Sequence, residues 1–436
     1  VIFTAFYLIV LLLVFVELRV VPEPRRLRTP RLPLWLVVSF LVVSYAIQLG
    51  IEAFAANSGA RSLRHELPLP VVTRSMDLPT LVALLTIAIA ASQSYALLVL
   101  YRAKQSVLPM ALGLLLMLCA SVAAPALTNG DAYAYVGNAL LGARAYAPPS
   151  VPFPGEFSVI NKLWHLPMTP MTYGPLWPVV ASLVSGAVPT LFGKLIAFRL
   201  YGAALLLCLL SILRSMGLPA RIIGIVALNP AIHLEFVANA HNDLTAIVIV
   251  SLAAVLAGSA PFAAGALVAT AGLVKLPYVV LGLPVLAAAR HRVAVALFAV
   301  GLVVAVSWIA GGVPYLRALT QHVAGAPSVD PVHAIASIAA LAAILAAFFG
   351  RRRLRSAVWL MPALGAYLDS WYMFWGFPYA LGRRRVLANL LLWFPLVGAL
   401  VDLTLVQVWT LPLVASVIVA YLLLNRPGAV RKAADR

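Results

Sequence analysis

Two polar clusters interrupt an otherwise apolar sequence, and both carry side chains able to take a proton or hold an anion. The first is TNGDAYAYVGNALLGARAYAPP (Thr128 to Pro149), in which Asp131 follows soon after the apolar run Leu108 to Ala124. A carboxylate there stands where a bilayer helix leaves the hydrocarbon, close to any lipid head group, and can serve as a general base. The second, LNPAIHLEFVANAHNDLTAI, gathers His233, Glu235, His241, Asn242 and Asp243 where one apolar run ends and the next begins. Such a set is expensive beside lipid and is expected to face a cavity. Helix capping is the competing reading: Asp131 as an N-terminal anion, with Thr128 or Asn129 as cap, and Asn239, Asn242 or Asp243 capping the run that follows.

Cations and aromatic rings accompany the carboxylates. Lys275 interrupts ATAGLVKLPYVVLG immediately before Leu276 and Pro277. At a helix break its ammonium suits a phosphate held as by a point charge, whereas along lipid it would simply snorkel to the interface. Arg199 and Arg317 are further cations for the same task. Tyr173 and the run Trp371, Tyr372, Phe374, Trp375 offer ring faces that bind sugars, or an interfacial aromatic belt. His and carboxylate are also suitable metal ligands, but no zincin or other recognised spacing is present, so no cofactor is expected, a divalent metal being the alternative. No phosphate-binding Gly-rich loop, nucleotide fingerprint or Ser/His/Asp order appears.

The elements that must position these groups are membrane helices. With 63% hydrophobic and only 10% charged residues, the chain is read as an all-α integral membrane protein. Strict two-residue alternation of the outer-membrane strand type is absent. The net charge of +18 comes from short basic clusters between apolar runs, the positive-inside pattern, rather than from a nucleic-acid-binding surface. Cys119 and Cys208 fall within apolar runs and offer neither metal spacing nor a disulfide framework. The apolar start lacks a basic n-region and a small-residue cleavage site and is read as a retained span. The expected organisation is N-terminal transmembrane helices over 1–124, an extracytoplasmic loop with interfacial helices over 125–192, a transmembrane bundle over 193–425 and a cytoplasmic tail over 426–436, with roughly 13–15 spans in all.

Placing the Arg-rich segment 19–33 in the cytoplasm and alternating sides puts the later basic clusters inside as well. Asp131, the His241 to Asp243 cluster, Lys275, the loop 311–334 and Asp369 then share the outer side. Two conditions follow: Leu176 to Pro189 must lie along the interface or re-enter, and the run 261–289 must break near Lys275, as discontinuous helices do where they line a cavity. Asp131 is expected to open a short amphipathic helix in the interface.

The order of NGDAYAYVGNALLGARAYAPP, TYGPLWP, LNPAIHLEFVANAHNDLTA and GLVKLP resembles the membrane-embedded GT-C glycosyltransferases, most closely the polyprenyl-phosphate-mannose-dependent α-mannosyltransferases of actinobacteria. The resemblance spans roughly residues 107 to 385. It implies a GT-C-like bundle in a bacterial plasma membrane with its active site in an extracytoplasmic cleft. It also implies a polyprenyl-phosphate sugar donor, a glycan or glycolipid acceptor, and a single displacement that inverts the anomeric centre. Asp131 matches the family's acidic residue of the first large outer loop, and Asp243 its second acidic position. A single Asp, rather than a paired acidic motif, points away from a metal-requiring variant.

On this reading Asp131, Asp243 and His241 form the catalytic set, with Asp131 as base. Lys275, Arg199 and Arg317 hold the donor phosphate, and Tyr135, Tyr173, Asn242 and Trp371 contact sugar or acceptor. Membrane lipids surround the protein and no nucleic acid is a partner. The rival reading is a transporter or flippase for a lipid-linked glycan, in which intramembrane charges mark a substrate path. The lack of an internal repeat and the gathering of polar residues on one face weigh against it.

Overall fold

The computed structural model describes residues 2–19, 32–59, 80–124, 130–164, 168–324, 331–351, 353–365 and 368–404. Among them there is helix and no strand. The order is α1 (Ile2–Arg19), α2 (Leu34–Gly59), α3 (Thr80–Arg102), α4 (Val107–Ala123), α5 (Asp131–Leu141), α6 (Ser158–Trp164), α7 (Leu176–Ser185), α8 (Leu191–Ser215) and α9 (Ala220–Ala227). Next come α10 (Pro230–Ile232), which runs into a π-helical turn at His233–Ala238, then α11 (Asp243–Leu256), α12 (Pro261–Val274), α13 (Tyr278–Leu281), α14 (Arg292–Val306) and α15 (Gly312–Ala324). α16 (Pro331–Phe348), 3-10 helices at Ser356–Leu364 and Ser370–Trp375, α17 (Gly376–Ala380) and α18 (Arg384–Thr404) complete it. The proposed caps Thr128 and Asn129, most of the Arg-rich segment, and the tail over 426–436 lie outside the described residues.

Six helices among the described residues are long and apolar enough to cross a bilayer: Leu34–Ile51, Leu85–Arg102, Leu191–Ser215, Arg292–His322, Pro331–Phe348 and Arg384–Val401. The pair Ala220–Ala227 and Pro230–Ala238, bent by 49°, has the form of a broken span or a re-entrant loop. The remaining apolar runs, which underlie the larger expected count, form shorter helices, among them Val107–Ala123, Asp243–Leu256 and Pro261–Val274. The outward faces remain apolar, with Trp35, Phe40 and Ile47 on α2 and Leu297 and Val304 on α14 exposed. Bare apolar faces of this kind suit lipid, and the chain is an all-α integral membrane protein.

Inside, α11 packs on α12 and α8, α12 on α14, α2 on α3 and α4, and α18 on α3 and the Ser370–Trp375 turn. Local signals set several starts. Thr190 accepts the Gly193 N–H at 3.1 Å to cap α8, and Asn229 accepts the Ala231 N–H at 3.2 Å ahead of Pro230. Two expectations are corrected. The segment 311–334 is not simply a loop, because Gly312 turns the chain at φ +56° and α15 follows, burying Tyr315 and Ala318. Nor does α5 show one bare face: residues 132–138 are all buried, and the helix is covered by α7 and α8.

Candidate active site

Close backbone approaches bring the two polar clusters together. α8 can press against the π-helical turn because it carries Gly202 there; a Cβ at Gly202 would lie 2.2 Å from the Phe236 carbonyl oxygen. Three residues earlier on α8, Arg199 reaches across, its Nε donating to the Ala238 carbonyl at 2.9 Å and its Nη1 to those of Val122 and Ala124 at 3.1 and 2.6 Å. The end of α4 and the π-helical turn are thus tied through one guanidinium. The turn closes with the Asn239 N–H donating to the Leu234 carbonyl and the His241 N–H to that of Glu235, at 2.9 and 3.1 Å. Ala240 follows at φ +58°, a left-handed conformation that costs a non-glycine residue on the order of 1–3 kcal/mol and recurs at functional sites.

That wide turn presents His241 to two carboxylates. Its Nδ1 lies 3.3 Å from Asp131 Oδ2 and its Nε2 3.5 Å from Glu235 Oε2. Both separations exceed the usual 2.7–2.9 Å of a charge-assisted bond, so the ring is bracketed by charge more than tightly bonded. Trp371 stacks on it at 3.9 Å between centroids and 18° between planes. His241 lies in the turn ahead of α11; burial opposes its charge, but Asp131 and Glu235 outweigh burial and raise it to about 9. Asp131 is the most open member, its side chain 17% exposed against 6% for Glu235 and none for His241.

Two residues on, Asp243 heads α11 without capping it. Both its oxygens accept from Lys275 Nζ at 2.9 Å, and Oδ1 also accepts from Trp375 Nε1 at 2.6 Å and Tyr278 Oη at 3.3 Å. α12 ends at Val274, and Lys275 takes extended backbone (φ −147°, ψ 113°), the expected helix break. Its ammonium stands over the rings of Tyr372, Trp375 and Tyr173 at 4.6, 5.3 and 5.7 Å. Lys275 is therefore a paired, buried lysine rather than a snorkelling one. The Tyr173 loop docks on the end of α12 through the Gly174 N–H, which donates to the Val274 carbonyl at 3.1 Å.

The structure thus unites Asp131, His241, Asn242, Asp243, Lys275, Tyr135, Tyr173 and Trp371. The Tyr135 hydroxyl accepts the Asn242 N–H at 3.4 Å, and its ring packs edge-on against Tyr173. Asn242 occupies the α11 cap position without making a side-chain cap bond, and among the described residues its buried amide meets no hydrogen-bond partner. Arg199 and Arg317 do not join the set. Arg199 is consumed by backbone carbonyls, and Arg317 is exposed on α15. Asp131 and Glu235 flank opposite nitrogens of one ring, so they do not converge on a point, and among the described residues no three His, Cys, Asp or Glu form a metal-binding group.

The sequence singles out neither Ser370 nor Tyr278, and it offers Glu235 only as one of a polar set and Trp375 only as one of a run of ring faces. Glu235 and Asn239, four apart, signal a shared face, and Asn239 Nδ2 does donate to Glu235 Oε2 at 3.2 Å. Nothing in the sequence pairs Trp375 with Asp243.

The sequence model of the alpha-(1→6)-mannopyranosyltransferase N-terminal domain matches residues 36–292, a stretch that holds every ionisable member of this cluster. No curated protein and no solved structure matches the chain.

Proposed function

This chain belongs to the alpha-(1→6)-mannopyranosyltransferase family, of the actinobacterial GT-C type, and from that premise we propose that it moves mannose from a polyprenyl phosphate to a glycan or lipid-linked acceptor, with inversion, at the extracytoplasmic membrane face. The observation that carries the reading is the single buried cluster in which a partly open Asp131 carboxylate and a Lys275 ammonium are joined through three consecutive residues, His241 to Asp243.

Such a transfer needs a base for the acceptor hydroxyl and positive charge for the departing lipid phosphate. Asp131, the most open carboxylate, takes the hydroxyl proton as the oxygen attacks the anomeric carbon from the face opposite the phosphate. The phosphate leaves with the bonding electrons, so no acid catalyst is required. Lys275 faces the leaving group. Phosphate binding there would share the ammonium with Asp243, whose Oδ1 keeps Trp375 and Tyr278 as donors. The Asn242 amide, without a partner among the described residues, suits sugar hydroxyls, since a buried amide left unpaired costs about 1–3 kcal/mol that such contacts would offset. Tyr135, Tyr173 and Trp371 supply the ring faces.

The test is transfer by the purified protein from a panel of polyprenyl-phosphate sugars, with the product's anomeric configuration read by NMR. Mannose transfer with inverted configuration is expected; retention, or transfer only from a nucleotide sugar, would overturn the reading.

A further inference from the structure

Glu235 has no role in the transfer as described, yet its carboxylate is built firmly into the site. Oε1 accepts from Ser370 Oγ at 2.8 Å, while Oε2 accepts from Asn239 Nδ2 at 3.2 Å and lies 3.5 Å from His241 Nε2. Its side chain is 6% exposed. A carboxylate this far from water persists where a cation and hydrogen-bond donors face it. The facing group is an imidazole whose other nitrogen meets Asp131. A neutral ring has one donor and one acceptor nitrogen, so between two carboxylates it would set acceptor against acceptor on one side; only the doubly protonated ring donates both ways. The π-helical turn and the left-handed Ala240 bring Glu235 and His241 face to face, and Trp371 stacked at 3.9 Å restrains the ring.

We propose that Glu235 is a positioning residue for the transfer: it fixes the orientation and charge of His241, and His241 in turn holds the Asp131 carboxylate for the acceptor hydroxyl. The inference rests on Asp131 acting as the base. Other charged groups packed around this turn are the Asp243–Lys275 pair, Arg199 on the Ala238 carbonyl and Asp369 ahead of Ser370; Tyr173 and Tyr372 lie in the fields of Asp131, Asp243 and Asp369. Of these groups, Glu235 and Asp131 are the two that flank the ring nitrogens.

The Trp371 stack supplies a readout independent of turnover, because a protonated imidazole quenches an indole stacked on it. The fluorescence difference between the unsubstituted protein and Trp371→Phe, titrated in detergent, should show a transition near pH 9 as His241 loses its proton and quenching is relieved. Glu235→Gln should move that midpoint down by about one pH unit or more. It should also lower turnover by roughly tenfold to a hundredfold, the scale seen for orienting partners elsewhere, with little change in donor KM. Glu235→Asp, which keeps the charge at shorter reach, should recover part of both. Ser370→Ala, which removes the donor to Oε1 and leaves the carboxylate charge less offset at the ring, should shift the midpoint less and in the opposite direction.

An unchanged midpoint in Glu235→Gln, or lost turnover without a midpoint shift, would overturn the inference. If Glu235→Gln does not yield folded protein, Ser370→Ala decides by the same midpoint criterion. Full turnover in Asp131→Asn overturns the base assignment and this inference with it. Turnover lost in Asp131→Asn and unchanged in Glu235→Gln overturns this inference alone.

Discussion

Substituting Asp243 by Asn should cost this protein more stability than substituting its partner Lys275 by Met, and the double variant should recover much of the loss. Asp243 is fully buried and the Lys275 side chain is 9% exposed, so each charge depends on the other. Asn keeps an oxygen for Trp375 and Tyr278 but turns an amide N–H toward the ammonium, leaving a buried cation with only ring faces. Breaking a buried pair from one side costs about 3–5 kcal/mol. The rings over Lys275 return roughly 0.5–2 kcal/mol where desolvated, so a net loss of about 3 kcal/mol is expected. Lys275→Met should lose less, about 2 kcal/mol, because the orphaned carboxylate retains two donors. The double variant removes both charges, and its loss should fall short of the sum of the two single losses by at least about 2 kcal/mol. Equilibrium unfolding in mixed micelles, followed by tryptophan fluorescence, measures all four proteins. Additivity of the two substitutions to within about 0.5 kcal/mol would refute the coupling on which this account of Lys275 depends.

Gly174→Ala would set a Cβ 2.2 Å from the Leu273 carbonyl oxygen, so the Tyr173 loop must retreat by about 1 Å; a misplacement of that size costs on the order of a hundredfold in turnover, measurable as initial rate with near-normal expression. His241 carries a folded-state pKa raised from 6.5 to about 9, so its stabilisation is fully present below about pH 6.5 and lost as pH rises through 9. That is on the order of 3 kcal/mol, and His241→Gln should flatten the stability profile between those values. For orientation, single cysteines placed at 150 and 155, in a background lacking Cys119 and Cys208, should react with an impermeant maleimide in intact cells; protection until lysis would invert the proposed topology.

The two polar clusters were legible because a membrane chain has few ionisable residues, and those within or beside apolar runs stand out by their cost. Asp131, His241, Asp243 and Lys275 stand out on that ground, and the break near Lys275 is required if the basic clusters are to share one side. Geometry that depends on tertiary approach could not be read in advance. Nothing local announces that Gly202 lets α8 contact the π-helical turn, or that Arg199 is spent on three carbonyls, and in the sequence alone a cation in an apolar run reads as a phosphate ligand. Nor does spacing reveal that Asp243 is claimed by Lys275, Tyr278 and Trp375 at once, which removes it from capping α11. Continuous hydrophobicity between Ser356 and Leu381 likewise does not show that the chain there forms 3-10 helices at Ser356–Leu364 and Ser370–Trp375.

The most direct test of the central claim is the turnover of Asp131→Asn with a mannosyl polyprenyl phosphate and a hydroxyl acceptor, measured beside its unfolding midpoint. Asn preserves size and can still accept a hydrogen bond, but it cannot take the acceptor's proton. The account predicts a fall of about a hundredfold or more in turnover in a protein that remains folded; near-normal transfer by that variant would contradict it.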